Sequence, residues 1–127
     1  MLHSADQVRI PATEGATVTK AVVSAADRLG LSARQLSAVI GVSEATVSRM
    51  KRLDFLLERG TKPFELALLF IRLFRSLDAV TGGDEAVAKA WLRGSNTALP
   101  AAPLDKISSI TGLVDVLGYL DARRALV

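Results

Sequence analysis

Arg34, Ser43, Glu44, Ser48, Arg49 and Arg52 are the residues of this chain whose types and spacing converge on one chemistry. Guanidinium groups, serine hydroxyls and a single carboxylate can hydrogen-bond phosphate oxygens and base edges. Between residues 28 and 52 there are five basic residues (Arg28, Arg34, Arg49, Lys51, Arg52) against one acidic residue, Glu44. The rest of the chain is nearly balanced, so a local excess of positive charge suits a phosphate-lined groove. Catalysis is not expected. The chain has no cysteine, one histidine (His3), no glycine-rich phosphate loop and no carboxylate pair at useful spacing. Asp84 and Glu85 read as first-turn helix charges, and neither a cofactor nor a metal site is expected.

The elements that must position these side chains lie in residues 31–53, LSARQLSAVIGVSEATVSRMKRL. Ser32 with Gln35 three positions later makes a capping-box pattern for a first short helix, whose apolar face is Leu36, Val39 and Ile40. Gly41 stands where the chain must turn sharply. Val42 can plug the corner, and Ser43 caps a second helix with Val47, Met50 and Leu53 facing inward. Ser37 is small where the two helices come close. This is the steric recipe of a helix-turn-helix, with Ser43, Glu44, Ser48, Arg49 and Arg52 toward the major groove and Arg34 at a phosphate on its edge. The second helix has few long base-reading side chains, which favours dimers on two half-sites of double-stranded DNA.

No period-two run or hairpin turn appears anywhere, so the chain is expected to be all-α. Residues 1–17 show no sustained period and read as a flexible N-terminal arm. Thr19 is expected to cap a helix running to Leu29, with Gly30 as its left-handed stop. FLLERG, residues 55–60, reads as a short helical turn. Pro63 opens the longest helix, to Thr81, whose apolar residues cover more than one stripe. Its extra face is expected to lie within its own domain or to meet a second copy, with Phe70, Leu73, Phe74 and Leu77 near the surface of a homodimer. Gly82-Gly83 marks a boundary, so 18–81 form one domain and 82–127 another. In the second, Asp84 caps a helix with Trp91, residues 95–103 are a turn-rich connector, and two helical segments follow, hinged at Thr111-Gly112. Half of the residues are hydrophobic, yet no run reaches the ~20 apolar residues of a membrane span and no leader opens the chain. A cytoplasmic protein without a membrane partner is expected.

Ala90-Trp91-Leu92, Asn96, Ala98-Leu99, Pro103-Leu104-Asp105, Gly112, Val116 and Leu120, placed after a helix-turn-helix, resemble the toxin-binding domain of the Xre/MbcA/ParS antitoxins. The resemblance covers residues 18 to 127. It departs from many relatives in reading Leu99-Pro100-Ala101-Ala102-Pro103 where they have a glycine-rich turn. It implies an Xre-like helix-turn-helix bundle followed by a small helical toxin-binding domain. It also implies a DNA-binding antitoxin that silences a RES-domain, NAD⁺-consuming toxin and represses their shared promoter. The resemblance puts toxin contact after Gly83. Leu113, Leu117 and Leu120 would bury apolar area against the toxin, Tyr119 would add an amphipathic contact, and Arg123 and Arg124 would reach its phosphate-binding site. Read from the residues alone, Trp91 and the leucine stripe suit core packing equally, and the two arginines suit a solvated helix end. A plain dimeric helix-turn-helix regulator without a toxin is the alternative. An interaction adaptor with a vestigial helix-turn-helix is a third reading.

Overall fold

Local capping chemistry sets where most of the helices begin. The computed structural model describes residues 3–94 and 101–126. Among them run α1 (His3–Arg28), α2 (Ala33–Ile40), α3 (Glu44–Lys51), α4 (Lys62–Val80), α5 (Glu85–Leu92), α6 (Pro103–Lys106) and α7 (Ile110–Arg124). The protein is all-α. Ser32, Ser43, Thr61, Asp84 and Ser109 each accept a hydrogen bond from a backbone N–H in the first turn of α2, α3, α4, α5 and α7 respectively. Both halves of the Ser32–Gln35 capping box form. No helix among the described residues is long and apolar enough to cross a membrane.

The N-terminal end of the chain differs from its sequence reading. Residues 3–17 are not an arm but the first part of α1, which runs on to Arg28. Thr19 is therefore an interior helical residue rather than a cap. It is fully buried, its hydroxyl donates to the Gly15 carbonyl at 2.7 Å, and it accepts from the Leu57 backbone N–H at 2.9 Å. Gly15 lies against the Leu57 carbonyl, and Arg59 pairs with Glu14 at 3.0 Å. These contacts pin the helix to the connection after α3. That connection, residues 54–61, is not a helical turn, and Leu53 is 43% exposed in a left-handed conformation, φ 61°, instead of facing inward.

The breadth of the apolar surface on α4 is satisfied within the chain. One side packs on α1 and α2, and the other on α7, the most extensive helix pairing of the molecule. Phe70, Leu73 and Leu77 are completely buried, and Phe74 is half-buried beneath the Arg28 guanidinium, 4.8 Å from its ring centroid. Phe70, Leu73 and Leu77 therefore have no exposed surface to offer a second copy, and Phe74 is already covered in part by Arg28. Leu113, Val116, Leu117 and Leu120 bury their side chains in the same core cluster as Leu36, Ile40 and Met50. The chain does turn at Gly82-Gly83, but the core runs past that turn without a break.

Near the C-terminus the turn falls earlier than Thr111-Gly112. Both residues lie in the first turn of α7, and the chain bends at residues 107–109. Gly112 serves close approach instead: a Cβ there would overlap the Lys106 carbonyl oxygen. Gly118, in the same helix, faces open space. Gly112→Ala should therefore destabilise the chain by about 1–3 kcal/mol through overpacking. Gly118→Ala should stabilise it by roughly 0.5–1 kcal/mol through reduced backbone entropy. Urea unfolding followed by circular dichroism checks both signs, and equal effects would contradict this packing.

Candidate DNA and partner surfaces

The α2–turn–α3 unit has the geometry of a helix-turn-helix. Leu36, Val39 and Ile40 of α2 and Val47 and Met50 of α3 are buried on facing sides. Gly41 closes the turn at φ 75°, and the N–H groups of Gly41 and Val42 both donate to the Ser37 carbonyl. Glu44, Ala45, Ser48, Arg49 and Arg52 are all exposed, at helical spacing opposite Val47 and Met50.

The candidate DNA residues divide by how their side chains are already engaged. Arg34 is exposed at the start of α2 and forms no ion pair among the described residues. Asp105 lines the same cleft, about 570 Å³, without pairing to it. The Ser43 hydroxyl is occupied in capping, accepting from Thr46 N–H at 3.0 Å and donating to Thr46 Oγ1 at 2.9 Å. Arg52 ends α3 and pairs with Asp54 at 3.0 Å. Arg49 has no acidic partner among the described residues; its guanidinium lies 5.3 Å from the centroid of the Phe55 ring, and Nη2 reaches Thr46 Oγ1 at 3.4 Å. Arg28 is engaged outside the helix-turn-helix, donating to Glu85 at 2.8 Å. Pairing of Arg28 and Arg52 reduces the local basic excess counted from sequence. Thr46, Asp54 and Phe55 were not singled out by sequence. Only the nearness of Phe55 to Arg49 along the chain hinted at the stack.

The second half presents another surface. Trp91 of α5 stacks on Tyr119 of α7, ring centroids 6.0 Å apart and planes 13° from parallel. Arg123 lies by the same ring, with its guanidinium 5.8 Å from the Tyr119 centroid and Nη1 donating to the phenolic oxygen at 2.9 Å. Val87 and Leu126 are exposed, 49% and 84%. Leu113, Leu117 and Leu120, expected at a toxin surface, are instead core residues against α4. The amphipathic spacing was right, but the partner is the chain itself. Tyr119 is half-buried, and Arg123 and Arg124 are exposed. Asn96, Ala98 and Leu99 lie outside the described residues.

Residues 8–72 match the antitoxin Xre-like helix-turn-helix domain, and residues 76–125 match the antitoxin Xre/MbcA/ParS C-terminal toxin-binding domain. The chain belongs to the Xre-like antitoxin family. No curated protein sequence matches it. The two matched regions of this Xre-like antitoxin meet inside α4, between residues 72 and 76.

In an Xre-like helix-turn-helix whose Arg28 is spent on Glu85, only unpaired cations should displace counterions from DNA. Arg34→Ala should flatten the slope of log affinity against log salt by about one unit on any duplex. Arg28→Ala should leave that slope unchanged. Fluorescence anisotropy across a salt series measures it, and equal slopes in the two variants would show that Arg34 does not meet phosphate.

Proposed function

We propose that this chain is the antitoxin of a toxin–antitoxin pair, neutralising a RES-type NAD⁺-consuming toxin and repressing its own promoter. The observation that carries the reading is the order of two domains in one chain, a DNA-binding helix-turn-helix followed directly by a toxin-binding domain. The RES class of toxin is taken from the family resemblance. Repression by dimers on two half-sites accords with the short exposed face of α3, and the dimer surface would lie outside Phe70, Leu73 and Leu77.

Burial of Leu113, Leu117 and Leu120 moves the proposed toxin contact to the face that remains open. Trp91 and Tyr119 stack, Arg123 lies by the Tyr119 ring, and Val87 and Leu126 are exposed, while Arg124 reaches back to Ser76 of α4 at 3.4 Å. Half-buried Trp and Tyr beside Arg are the side chains that dominate protein interfaces, because they bury much area at little entropic cost. Removing residues 113–127 would not isolate toxin binding. It would uncover the α7-facing side of α4 and unfold the helix-turn-helix with it.

Surface substitutions separate the two activities. The triple variant Val87→Glu, Arg123→Glu, Arg124→Glu should lose growth rescue when co-expressed with a RES-domain toxin that the wild-type chain neutralises. Operator affinity should stay within about twofold, since rim changes far from the DNA face are near-neutral. Cellular NAD⁺ should fall with the variant and hold with the wild type. Full rescue by the triple variant would move the toxin surface elsewhere. A wild-type chain that neither rescues growth nor holds NAD⁺ against any RES-domain toxin would favour the plain dimeric regulator.

A further inference from the structure

Two arginines of the exposed α3 face are treated oppositely by the three residues that follow. Leu53 adopts φ 61°, uncommon for a branched side chain, and turns the backbone sharply. Its N–H donates to the Met50 carbonyl at 3.0 Å, and the next N–H, of Asp54, donates to the Arg49 carbonyl at 2.8 Å. The turn thereby brings Asp54 beside Arg52 and Phe55 beneath Arg49. Phe55 is half-buried and packed against the core, so its ring is a fixed platform. A guanidinium drawn over a ring by cation–π attraction spends no N–H group on that contact, so its donors remain for a bidentate partner. Among the described residues, only Thr46 Oγ1 engages one of the Arg49 N–H groups, at 3.4 Å. The aspartate does the reverse for Arg52, neutralising its charge at 3.0 Å.

We infer that the turn after α3 sets how this chain reads DNA: Phe55 is a positioning residue that presents the Arg49 edge to a base, and Asp54 withholds Arg52 from the phosphates. The inference rests on sequence-specific DNA binding by the helix-turn-helix, but not on autorepression or on any toxin. Sequence discrimination by α3 therefore depends on a ring outside α3. Holding the long Arg49 side chain in one pose removes rotamer entropy before binding, which favours the matched duplex without adding a contact.

The test uses the full chain, a duplex it selects from a random pool, and a scrambled duplex of equal length. Phe55→Leu should weaken the selected duplex by about two- to fivefold, the range of an exposed cation–π contact, and leave the scrambled one unchanged. Phe55→Tyr should restore the ratio. In an Arg49→Ala background, Phe55→Leu should have no further effect on discrimination. Asp54→Asn, a change at an exposed residue that does not threaten folding, should tighten both duplexes and steepen the salt slope by about one unit. An unchanged ratio in folded Phe55→Leu, or equal loss on both duplexes, would overturn the role of Phe55. An unchanged salt slope in Asp54→Asn would overturn the role of Asp54, whether or not the Phe55 variant folds. Failure of the wild type to select any sequence would overturn the inference together with specific DNA reading. A selected sequence absent from the chain's own upstream region would overturn autorepression alone.

Discussion

Helix α4 is apolar on two faces, and the need to bury both is the constraint on which the rest of this molecule depends. One face closes the helix-turn-helix domain against α1 and α2, and the other receives α7. Phe70, Leu73 and Leu77 have no exposed surface, and burying a side chain of this size contributes roughly 1.5–3 kcal/mol relative to leaving it in water. Losing the cover on one side would therefore remove an amount comparable to the whole stability of a small domain. The two family domains meet within this helix. Their boundary is a shared structural element and cannot act as a linker.

Polar contacts reinforce the same union. Arg93, just beyond α5, donates to the carbonyls of Leu29 at 3.2 Å and Gly30 at 2.9 Å, at the end of α1. Carbonyls at a helix C-terminus lack intrahelical donors and carry partial negative charge, so a guanidinium there serves as both cap and counterion. Arg28, the last residue of α1, is held by Glu85 and lies over Phe74. Asp121 of α7 accepts from Arg72 and Ser76 of α4, each at 2.7 Å. The helix that carries Trp91 is thus tied to the residues immediately before Ser32, where the helix-turn-helix begins. Any binding energy that distinguishes two positions of α5 is by linkage shared with the DNA-binding half.

Features fixed by a few neighbouring residues were legible in the sequence. Ser32 with Gln35, Gly41, Ser43 and the stripe of Leu36, Val39 and Ile40 took the places their local chemistry demands. Thr19 was misread because a hydroxyl that can cap a helix can equally bond the carbonyl four residues back inside one. Only the approach of Leu57, distant in sequence, chooses between them. The apolar spacing of α7 was equally plain, but a stripe states only that something covers it. Whether that is a partner, a second copy or α4 is decided by the topology that returns α7 alongside α4. Gly112 looked like a hinge for the same reason, since its contact with the Lys106 carbonyl belongs to the folded turn rather than to the glycine itself.

Charge shows the widest gap between sequence and surface. Arg28 and Glu85 are 57 positions apart, so counting along the helix-turn-helix assigns to the DNA face a cation that the fold directs elsewhere. Arg52 and Asp54 are neighbours, and their pairing was open to inspection, but it depends on the left-handed turn at Leu53. The two withdrawals also differ in kind. Arg52 and Asp54 are exposed on both sides, and such a pair is worth only about 0–1 kcal/mol. Arg28 is bound to Glu85, lies within 4.0 Å of Asp78 and covers the Phe74 ring, so releasing it would also expose apolar surface between the two halves of the chain. Among the described residues, the arginines counted along the helix-turn-helix thus differ in what holds them: Arg34 has no ion pair, Arg49 lies over a ring, Arg52 pairs with Asp54, and Arg28 is committed to the fold.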